Sequence, residues 1–192
     1  MSSIFIEQLA LHGFTSAEIV PLISIAKPLQ LPARHILVNQ EKVADSIYFV
    51  LEGLCHACYL TEQGKQFSKE FYWEQDWIIG FEGLICNQAS PYLVETLTAT
   101  KLLCLPIASL QQWREESHPL YIKLLETQLM YKESKERFML LHTPEKRYKI
   151  FCRNFPQLQE RLSDYQIAAY LGITHISLSR IKTRLKEKIN IS

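Results

Sequence analysis

Positions 163–181 carry the sequence SDYQIAAYLGITHISLSRI. Ser163 and Gln166 have the spacing of a capping box, which predicts the start of a short helix. Gly172 can adopt the left-handed conformation that a tight turn needs, and Thr174 is placed to cap a second helix. Two helices joined by so short a turn predict a helix-turn-helix.

The second of these helices carries polar side chains on the side away from its apolar residues. In a helix-turn-helix this helix lies in the major groove of DNA, with its first residues at the base edges. Arg180 can pair with guanine through two hydrogen bonds, and His175 can donate to a base or to phosphate. The hydroxyls of Thr174 and Ser177 can reach phosphate at the helix N-terminus. The candidate DNA-binding residues are Thr174, His175, Ile176, Ser177, Ser179, Arg180, Lys182 and Arg184.

The core of this module is predicted from its apolar positions. Ala168 is small where the two helices cross, and the other core positions are Ile167, Leu171, Ile173, Leu178 and Ile181. The same pattern also suits a small helical module that docks a protein, so the charge of the segment matters for choosing between the two.

The net charge of +1 is unevenly distributed along the chain. Residues 1–118 contain 7 Lys/Arg and 13 Asp/Glu (net −6), and residues 119–142 contain 4 and 3 (net +1). Residues 143–192 contain 10 and 4 (net +6), with Lys186 and Lys188 among the cations near the end. A basic tail on an acidic body favours a polyanionic partner, so double-stranded DNA is the predicted ligand of the tail.

The composition favours a packed cytoplasmic protein. Apolar residues make up 47% of the 192 positions, too many for a disordered chain. The longest apolar run, residues 102–108, is far shorter than the roughly 20 residues that span a membrane. The N-terminus does not resemble a signal peptide, and five cysteines without an export signal are expected to be reduced thiols.

Residues 36–105 have the pattern of an antiparallel β-sandwich or barrel. Short apolar runs alternate with turn residues, and no long helical period interrupts them. The predicted strands cover residues 47–51, 55–60, 67–72, 92–97 and 102–105. Residues 77–86 are an exception, predicted as a short inserted helix. The first 30 residues are predicted to form short helices, with a capping box at Thr15 and Glu18.

A long helix is predicted from Pro119 to Leu141 because apolar residues recur there with a helical period. One stripe contains Leu124, Tyr131, Phe138 and Leu141, and a neighbouring stripe contains Ile122, Leu125 and Leu129. Two stripes predict two packing partners, the sheet domain and a second subunit, although a single intramolecular face would also fit. The predicted domains are residues 1–118, a dimerisation helix at 119–142, and a DNA-binding domain at 143–192.

The stretch at 166–181 closely resembles the helix-turn-helix of the Crp–Fnr transcription regulators. The sequence IYFVLEG at 47–53 is similar to the β-roll signature of that family, and Gly64 lies in its hairpin. The resemblance implies an α+β fold: an N-terminal antiparallel double-stranded β-roll, jelly-roll-like, then a dimerisation helix and a C-terminal helix-turn-helix domain. It also implies a homodimer on a two-fold operator, with RNA polymerase and a small-molecule effector as further partners.

The chain departs from the cyclic AMP-binding members of that family. These members carry a Gly-Glu pair and an Arg for the cyclic phosphate, whereas here Phe81 and Ser90 stand at the Glu and Arg positions. No Arg lies between Arg34 and Arg114, so cyclic AMP is not expected to bind. The candidate effector pocket consists of Gly80, Phe81, Glu82, Ser90, Pro91 and Tyr92. Trp73 and Trp77 are predicted to line the roll beside it, either around a flat ligand or filling the space themselves.

No cofactor or metal site is predicted. Cys55 and Cys58 have CxxC spacing, but positions i and i+3 of a strand face opposite sides. Iron–sulfur members of the resembled family have clustered N-terminal cysteines, which this chain lacks. No histidine stands out as a haem ligand, and Cys86, Cys104 and Cys152 are predicted to lie in the core.

These residues allow three functions to be distinguished. The favoured one is a dimeric DNA-binding regulator and not an enzyme. A ligand- or protein-binding adaptor is the alternative, because the family's β-hairpin wing is expected to be truncated or missing after the recognition helix. A cupin-type metalloenzyme is disfavoured because the sequence contains no His-x-His.

Overall fold

A computed structural model describes the backbone of residues 3–190 and the side chains of residues 3–187. The chain begins with two helices, α1 (Ser3–Leu11) and α2 (Ser16–Ile25). The predicted capping box of α2 is present, since the backbone N–H of Thr15 donates to the Glu18 carboxylate at 2.8 Å. Phe5 and Leu9 of α1 are fully buried against the sheet domain.

Two four-stranded antiparallel sheets follow, which confirms the predicted double-stranded β-roll. The strands are β1 (Lys27–Leu31), β2 (Ile36–Val38), β3 (Ser46–Glu52), β4 (Cys55–Leu60), β5 (Gln66–Tyr72), β6 (Trp77–Ile78), β7 (Leu93–Thr96) and β8 (Thr100–Pro106). One sheet has the order β1-β8-β3-β6 and the other β2-β7-β4-β5. Side chains from both sheets, including Val50, Ala57 and Leu102, pack together between them.

Strand β1 is not among the predicted strands, and it contains Pro28. Lys27–Leu31 pairs with β8 alone and forms the edge of its sheet. Proline is tolerated there because an edge strand has one side that makes no ladder hydrogen bonds. Between β6 and β7 lies the predicted insertion, a short helix α3 (Phe81–Cys86).

A long helix connects the roll to the C-terminal domain. After α4 (Ile107–Glu115), α5 runs from Pro119 to Leu141, as predicted. Leu124 packs against the core of the roll, and Tyr131 and Phe138 face the C-terminal domain. The neighbouring stripe of Ile122, Leu125 and Leu129 is exposed. Leu141 is exposed as well, so the inward stripe ends at Phe138.

Four helices form the C-terminal domain: α6 (Pro144–Asn154), α7 (Pro156–Arg161), α8 (Asp164–Tyr170) and α9 (His175–Asn190). Thr143 caps α6 by accepting a hydrogen bond from the backbone N–H of Lys146. Apolar side chains from these helices share one core with Leu54 and Phe71 of the roll. The C-terminal domain is therefore packed directly against the roll.

Specific contacts fix this packing. Phe71 on β5 lies 5.4 Å from Tyr170 on α8, measured between ring centroids. Arg161 at the end of α7 donates two hydrogen bonds to Glu74, at 2.8 and 3.0 Å. Within residues 3–190, no helix has both the length and the apolar character required to cross a membrane.

Candidate nucleic-acid interface and effector pocket

The helix-turn-helix forms as its sequence predicts. The backbone N–H of Ser163 donates to Gln166 at 2.8 Å, which completes the capping box of α8. Gly172 has φ +66°, and a Cβ atom there would lie 2.6 Å from the Met139 side chain. The positive φ is what makes glycine necessary in this turn, because the flexible end of the Met139 side chain could move aside. Thr174 caps α9 by accepting from the backbone N–H of Ser177 at 3.1 Å.

The predicted core of this module is largely confirmed. Five of the six predicted core side chains are buried: Ile167, Ala168, Leu171, Leu178 and Ile181. Ile173 in the turn is half-buried and packs against the same core. Burial of this face fixes which side of α9 points outward.

The outward side of α9 is cationic. Ser179, Arg180 and Arg184 are exposed, and neither arginine forms an ion pair with any described side chain. Ile176 is 63% exposed and adds an apolar group to this surface. This surface combines hydrogen-bond donors, positive charge and one apolar group, which are the features that base and phosphate contacts require.

Three of the predicted DNA-binding residues are engaged within the protein. Lys182 forms an ion pair with Asp164 on α8, so its charge is partly neutralised. The hydroxyl groups of Thr174 and Ser177 lie 2.9 Å apart and share a hydrogen bond. Lys188, also predicted to attract phosphate, lies outside the residues whose side chains are described.

Sequence reasoning missed Tyr165 as a member of this surface. Its ring stacks on the imidazole of His175, with centroids 4.1 Å apart and planes 9° from parallel. Tyr165 is itself 71% exposed, so the stacked pair lies at the surface where α8 and α9 meet. The contact joins two helices, and for that reason no periodicity within either helix indicates it.

The structure divides the predicted effector pocket into two parts. Gly80, Ser90 and Tyr92 lie together: a Cβ on Gly80 would be 3.8 Å from the Tyr92 hydroxyl, and Ser90 Oγ donates to the Tyr92 carbonyl at 2.8 Å. Tyr92 also donates its hydroxyl to the Ile79 carbonyl at 3.3 Å. Burial raises the pKa of the Tyr92 hydroxyl, and the negative charge of Glu82 raises it as well. Glu82 is therefore close enough to Tyr92 to act on it electrostatically.

Phe81 faces another direction. It belongs to the core beneath α1 and α4, where its ring meets Tyr121 at 6.0 Å. It also lines a cavity of about 300 Å³ between the roll and α5, the only member of the predicted pocket to do so. Trp73 and Trp77 line this cavity between the roll and α5, not the roll interior predicted for them, whereas Tyr92 lies in the roll interior and does not line the cavity. For Pro91 the structure shows only that it is half-buried.

Polar side chains near this cavity already interact with other groups of the protein. Burial raises the pKa of Asp76, a hydrogen bond from the backbone N–H of Trp73 opposes this, and the charge of Glu74 adds to it, so that the pKa is about 6. Lys69 contacts Glu70 and lies 4.5 Å above the Tyr92 ring. Burial lowers the pKa of Lys69 to about 7.

Two findings concern the cysteines. Cys86 is exposed, so its prediction as a core residue was wrong; it ends the short α3 helix at the surface. Cys55 faces the interior of the roll, whereas His56 lies on the opposite face and contacts Phe71. One group of metal-ligating side chains converges among the described residues, namely His56, Cys58 and Glu95.

Comparison with known proteins supports the fold. Residues 28–117 match the family model of the cyclic nucleotide-binding domain. No curated protein matches the chain by sequence. Among solved structures, FixK2 from Bradyrhizobium japonicum is similar with a TM-score of 0.70 and 17% identity, covering 85% of this chain and 86% of its own.

Two further structures show the same likeness. The global regulator CLP from Xanthomonas campestris, described as c-di-GMP responsive, has a TM-score of 0.70 and 15% identity, covering 91% of this chain and 93% of its own. A transcriptional regulator assigned to the Crp/Fnr family from Eubacterium rectale has a TM-score of 0.74 and 14% identity, covering 93% and 86%. Over residues 28–117 the chain thus matches the cyclic nucleotide-binding domain family, and as a whole it has the fold of the Crp/Fnr transcription regulators.

Proposed function

We propose that the chain is a homodimeric transcription regulator that reads a two-fold DNA site with α9. The observation that carries the proposal is the outward face of α9, where Arg180 and Arg184 are exposed and free of ion pairs with the described side chains. A folded domain gains nothing in its own stability from such groups, whereas DNA phosphates and base edges are matched to them.

The residues on this face have different roles in the proposal. Arg180 pairs with the O6 and N7 atoms of a guanine, and Ile176 packs against a thymine methyl group. His175 donates to a base or phosphate, with its ring held in place by Tyr165. Ser179 and Arg184 contact the backbone, and Thr174 and Ser177 support the N-terminus of the helix beside a phosphate. Lys182 has a smaller role because Asp164 already pairs with it.

Dimerisation places two copies of α9 on the DNA. In the proposed organisation residues 1–118 form a sensor domain, 119–142 the dimerisation helix and 143–192 the DNA-binding domain. The outward stripe of α5 supports this, because Leu129 is 57% exposed and Ile122 and Leu125 lie on the same face. A second α5 would cover this stripe and relate two recognition helices by a two-fold axis.

The sensor domain is proposed not to bind cyclic AMP. Ser90 stands where the family's phosphate-binding Arg is expected and already donates to the Tyr92 carbonyl. Lys69, the cation above the Tyr92 ring, is paired with Glu70. A cyclic phosphate would therefore enter without a free counter-charge. An effector would instead occupy the cavity lined by Trp73, Trp77 and Phe81.

Selection of bound fragments from a random double-stranded DNA pool at about 50 and 200 mM salt tests the proposal. The wild-type chain is expected to enrich a two-fold motif, because a dimer presents two equal reading helices. Arg180→Ala is expected to lose the preference for guanine, about 5- to 150-fold, from the roughly 1–3 kcal/mol of a bidentate pair.

Arg153→Ala is the matched control, since Arg153 is an exposed arginine of the same domain but lies on α6. It removes the same charge and is expected to retain the motif. Binding that vanishes with salt and enriches no motif would overturn the proposal in favour of an adaptor. An unchanged motif in Arg180→Ala would overturn the role of that residue.

A further inference from the structure

Three metal-ligating side chains meet on the face of the second sheet that points away from the roll interior. His56 and Cys58 are two residues apart on β4 and therefore share a face. Glu95 on β7 lies directly opposite His56 in the strand register. One ligand atom from each of the three residues lies within 4.8 Å of the other two. The neighbouring Cys55 is not part of this group, since it faces the roll interior.

The distance between His56 and Glu95 is close to that of a tetrahedral metal centre. Zinc bonds of about 2.0–2.3 Å place neighbouring ligand atoms roughly 3.3–3.6 Å apart. Nδ1 of His56 lies 3.7 Å from Oε1 of Glu95, too far for a hydrogen bond but close to this separation. Small rotations of the Glu95 and Cys58 side chains would complete the geometry.

The histidine ring is already oriented for coordination. Its Nε2 atom lies 2.9 Å from the hydroxyl of Ser68, so Nε2 can carry the proton and leave the Nδ1 lone pair facing Glu95. Metal-bound histidines commonly donate their other ring N–H in this way. Burial also lowers the pKa of His56 to about 4.

Arg34 is a charged neighbour of this group. Burial raises the pKa of Glu95, and the positive charge of Arg34 opposes part of this shift. Burial and the nearby Glu95 raise the pKa of Cys58 to about 11, so in the metal-free protein the thiol keeps its proton. A bound dication would supply the positive charge that stabilises a thiolate here.

We propose that His56, Cys58 and Glu95 bind a zinc ion. A nitrogen, sulfur and oxygen ligand set suits Zn²⁺ better than the hard cations Mg²⁺ and Ca²⁺, which take oxygen ligands. The Glu95 side chain is 21% exposed, which allows the ion to enter and a water molecule to complete the coordination. The site lies beside the domain interface, because the His56 ring stacks on Phe71, which in turn contacts Tyr170.

Titration of the full, metal-stripped chain with Co²⁺ tests this site independently of DNA binding. The expected result is one Co²⁺ per chain, with a thiolate-to-cobalt charge-transfer band and the visible bands of tetrahedral cobalt, all displaced by Zn²⁺. Cys58→Ser should abolish the charge-transfer band. Glu95→Gln, at a partly exposed position, should weaken Co²⁺ affinity about tenfold or more.

Cys86→Ser is the matched control, because Cys86 is an exposed cysteine of the same roll. It should leave the spectrum and the stoichiometry unchanged. Thermal unfolding of each metal-free variant shows whether that variant folds. If Cys58→Ser does not fold, the Co²⁺ affinity of Glu95→Gln decides whether these residues bind the metal. The proposal is overturned if wild-type protein gives no charge-transfer band, if Cys86→Ser rather than Cys58→Ser removes it, or if a folded Glu95→Gln binds Co²⁺ as tightly as wild type.

Discussion

The recognition surface of α9 and the interior of the roll use polar side chains in opposite ways. On α9, Arg180 and Arg184 point outward and pair with none of the described side chains. In the roll, polar groups lie inside and are partnered by the protein itself, as with Ser90 on the Tyr92 carbonyl and Asp76 on the Trp73 backbone. The difference indicates which region depends on an external partner. The polar groups of the roll are partnered within it, whereas Arg180 and Arg184 of α9 are left for a partner outside the chain, which we propose is DNA.

The largest expected effect concerns the pairing of two α9 surfaces. Leu129→Glu places a charge on the exposed stripe of α5, where a second α5 is proposed to pack. Loss of the dimer removes one of two linked DNA contacts, so affinity for the two-fold site should fall about 10²- to 10⁴-fold. Analytical ultracentrifugation and a gel-shift titration measure the two quantities.

Val20→Glu is the control for this prediction, since Val20 is an exposed apolar residue on α2. It should remain dimeric and bind DNA normally. A Leu129→Glu protein that stays dimeric would show that another surface holds the subunits together.

The next effect concerns stability and is confined to the roll. Because the pKa of Asp76 is raised from 3.8 to about 6, the folded protein binds this proton more tightly than the unfolded chain. Its contribution to stability is therefore fully present below pH 3.8 and is lost as the pH rises to about 6, a change on the order of 3 kcal/mol. Asp76→Asn should remove this slope.

Urea unfolding of wild type and Asp76→Asn between pH 4 and 7 measures the difference between their free energies of unfolding. That difference should move in favour of the variant as the pH rises. A difference that is constant with pH would contradict the assigned pKa. Wild type and variant should bind DNA equally well at pH 7, since Asp76 is remote from α9.

The smallest effect concerns the contact between the C-terminal domain and the roll. Arg161 on α7 and Glu74 after β5 form a bidentate ion pair at the surface. Exposed pairs contribute about 0.2–1 kcal/mol, and the bidentate geometry favours the upper part of that range. A double-mutant cycle of Arg161→Ala and Glu74→Gln, followed by thermal unfolding, should give a coupling energy of that size. A coupling energy of zero would mean that Phe71 and Tyr170 hold the domains without help from this pair.

Local sequence signals were sufficient for the helix-turn-helix and for α5. The capping box at Ser163, the turn at Gly172 and the helical spacing of apolar residues each act within a few positions. Strand β1 was missed because Pro28 normally argues against regular structure, and only its edge position in the sheet permits it.

The sites in the roll could not be predicted in the same way. Phe81 and Tyr92 are close in the family pattern, yet they face different cores because α3 turns one of them toward Tyr121. The His56, Cys58 and Glu95 group depends on the register between β4 and β7, which no local pattern specifies. On β4 it is His56 and Cys58, two residues apart, that share a face, and not the CxxC pair Cys55 and Cys58. Contacts between elements distant in sequence decide both sites.

Hydroxyl-radical footprinting of the wild-type chain on its selected DNA sequence is the most direct test of the central claim, that paired α9 helices read DNA. A two-fold dimer should protect two segments whose centres lie about 34–36 Å apart, or 10–10.5 base pairs, on one face of the duplex. Arg180→Ala should lose both segments together. A single protected segment, or protection without a fixed spacing, would contradict the account.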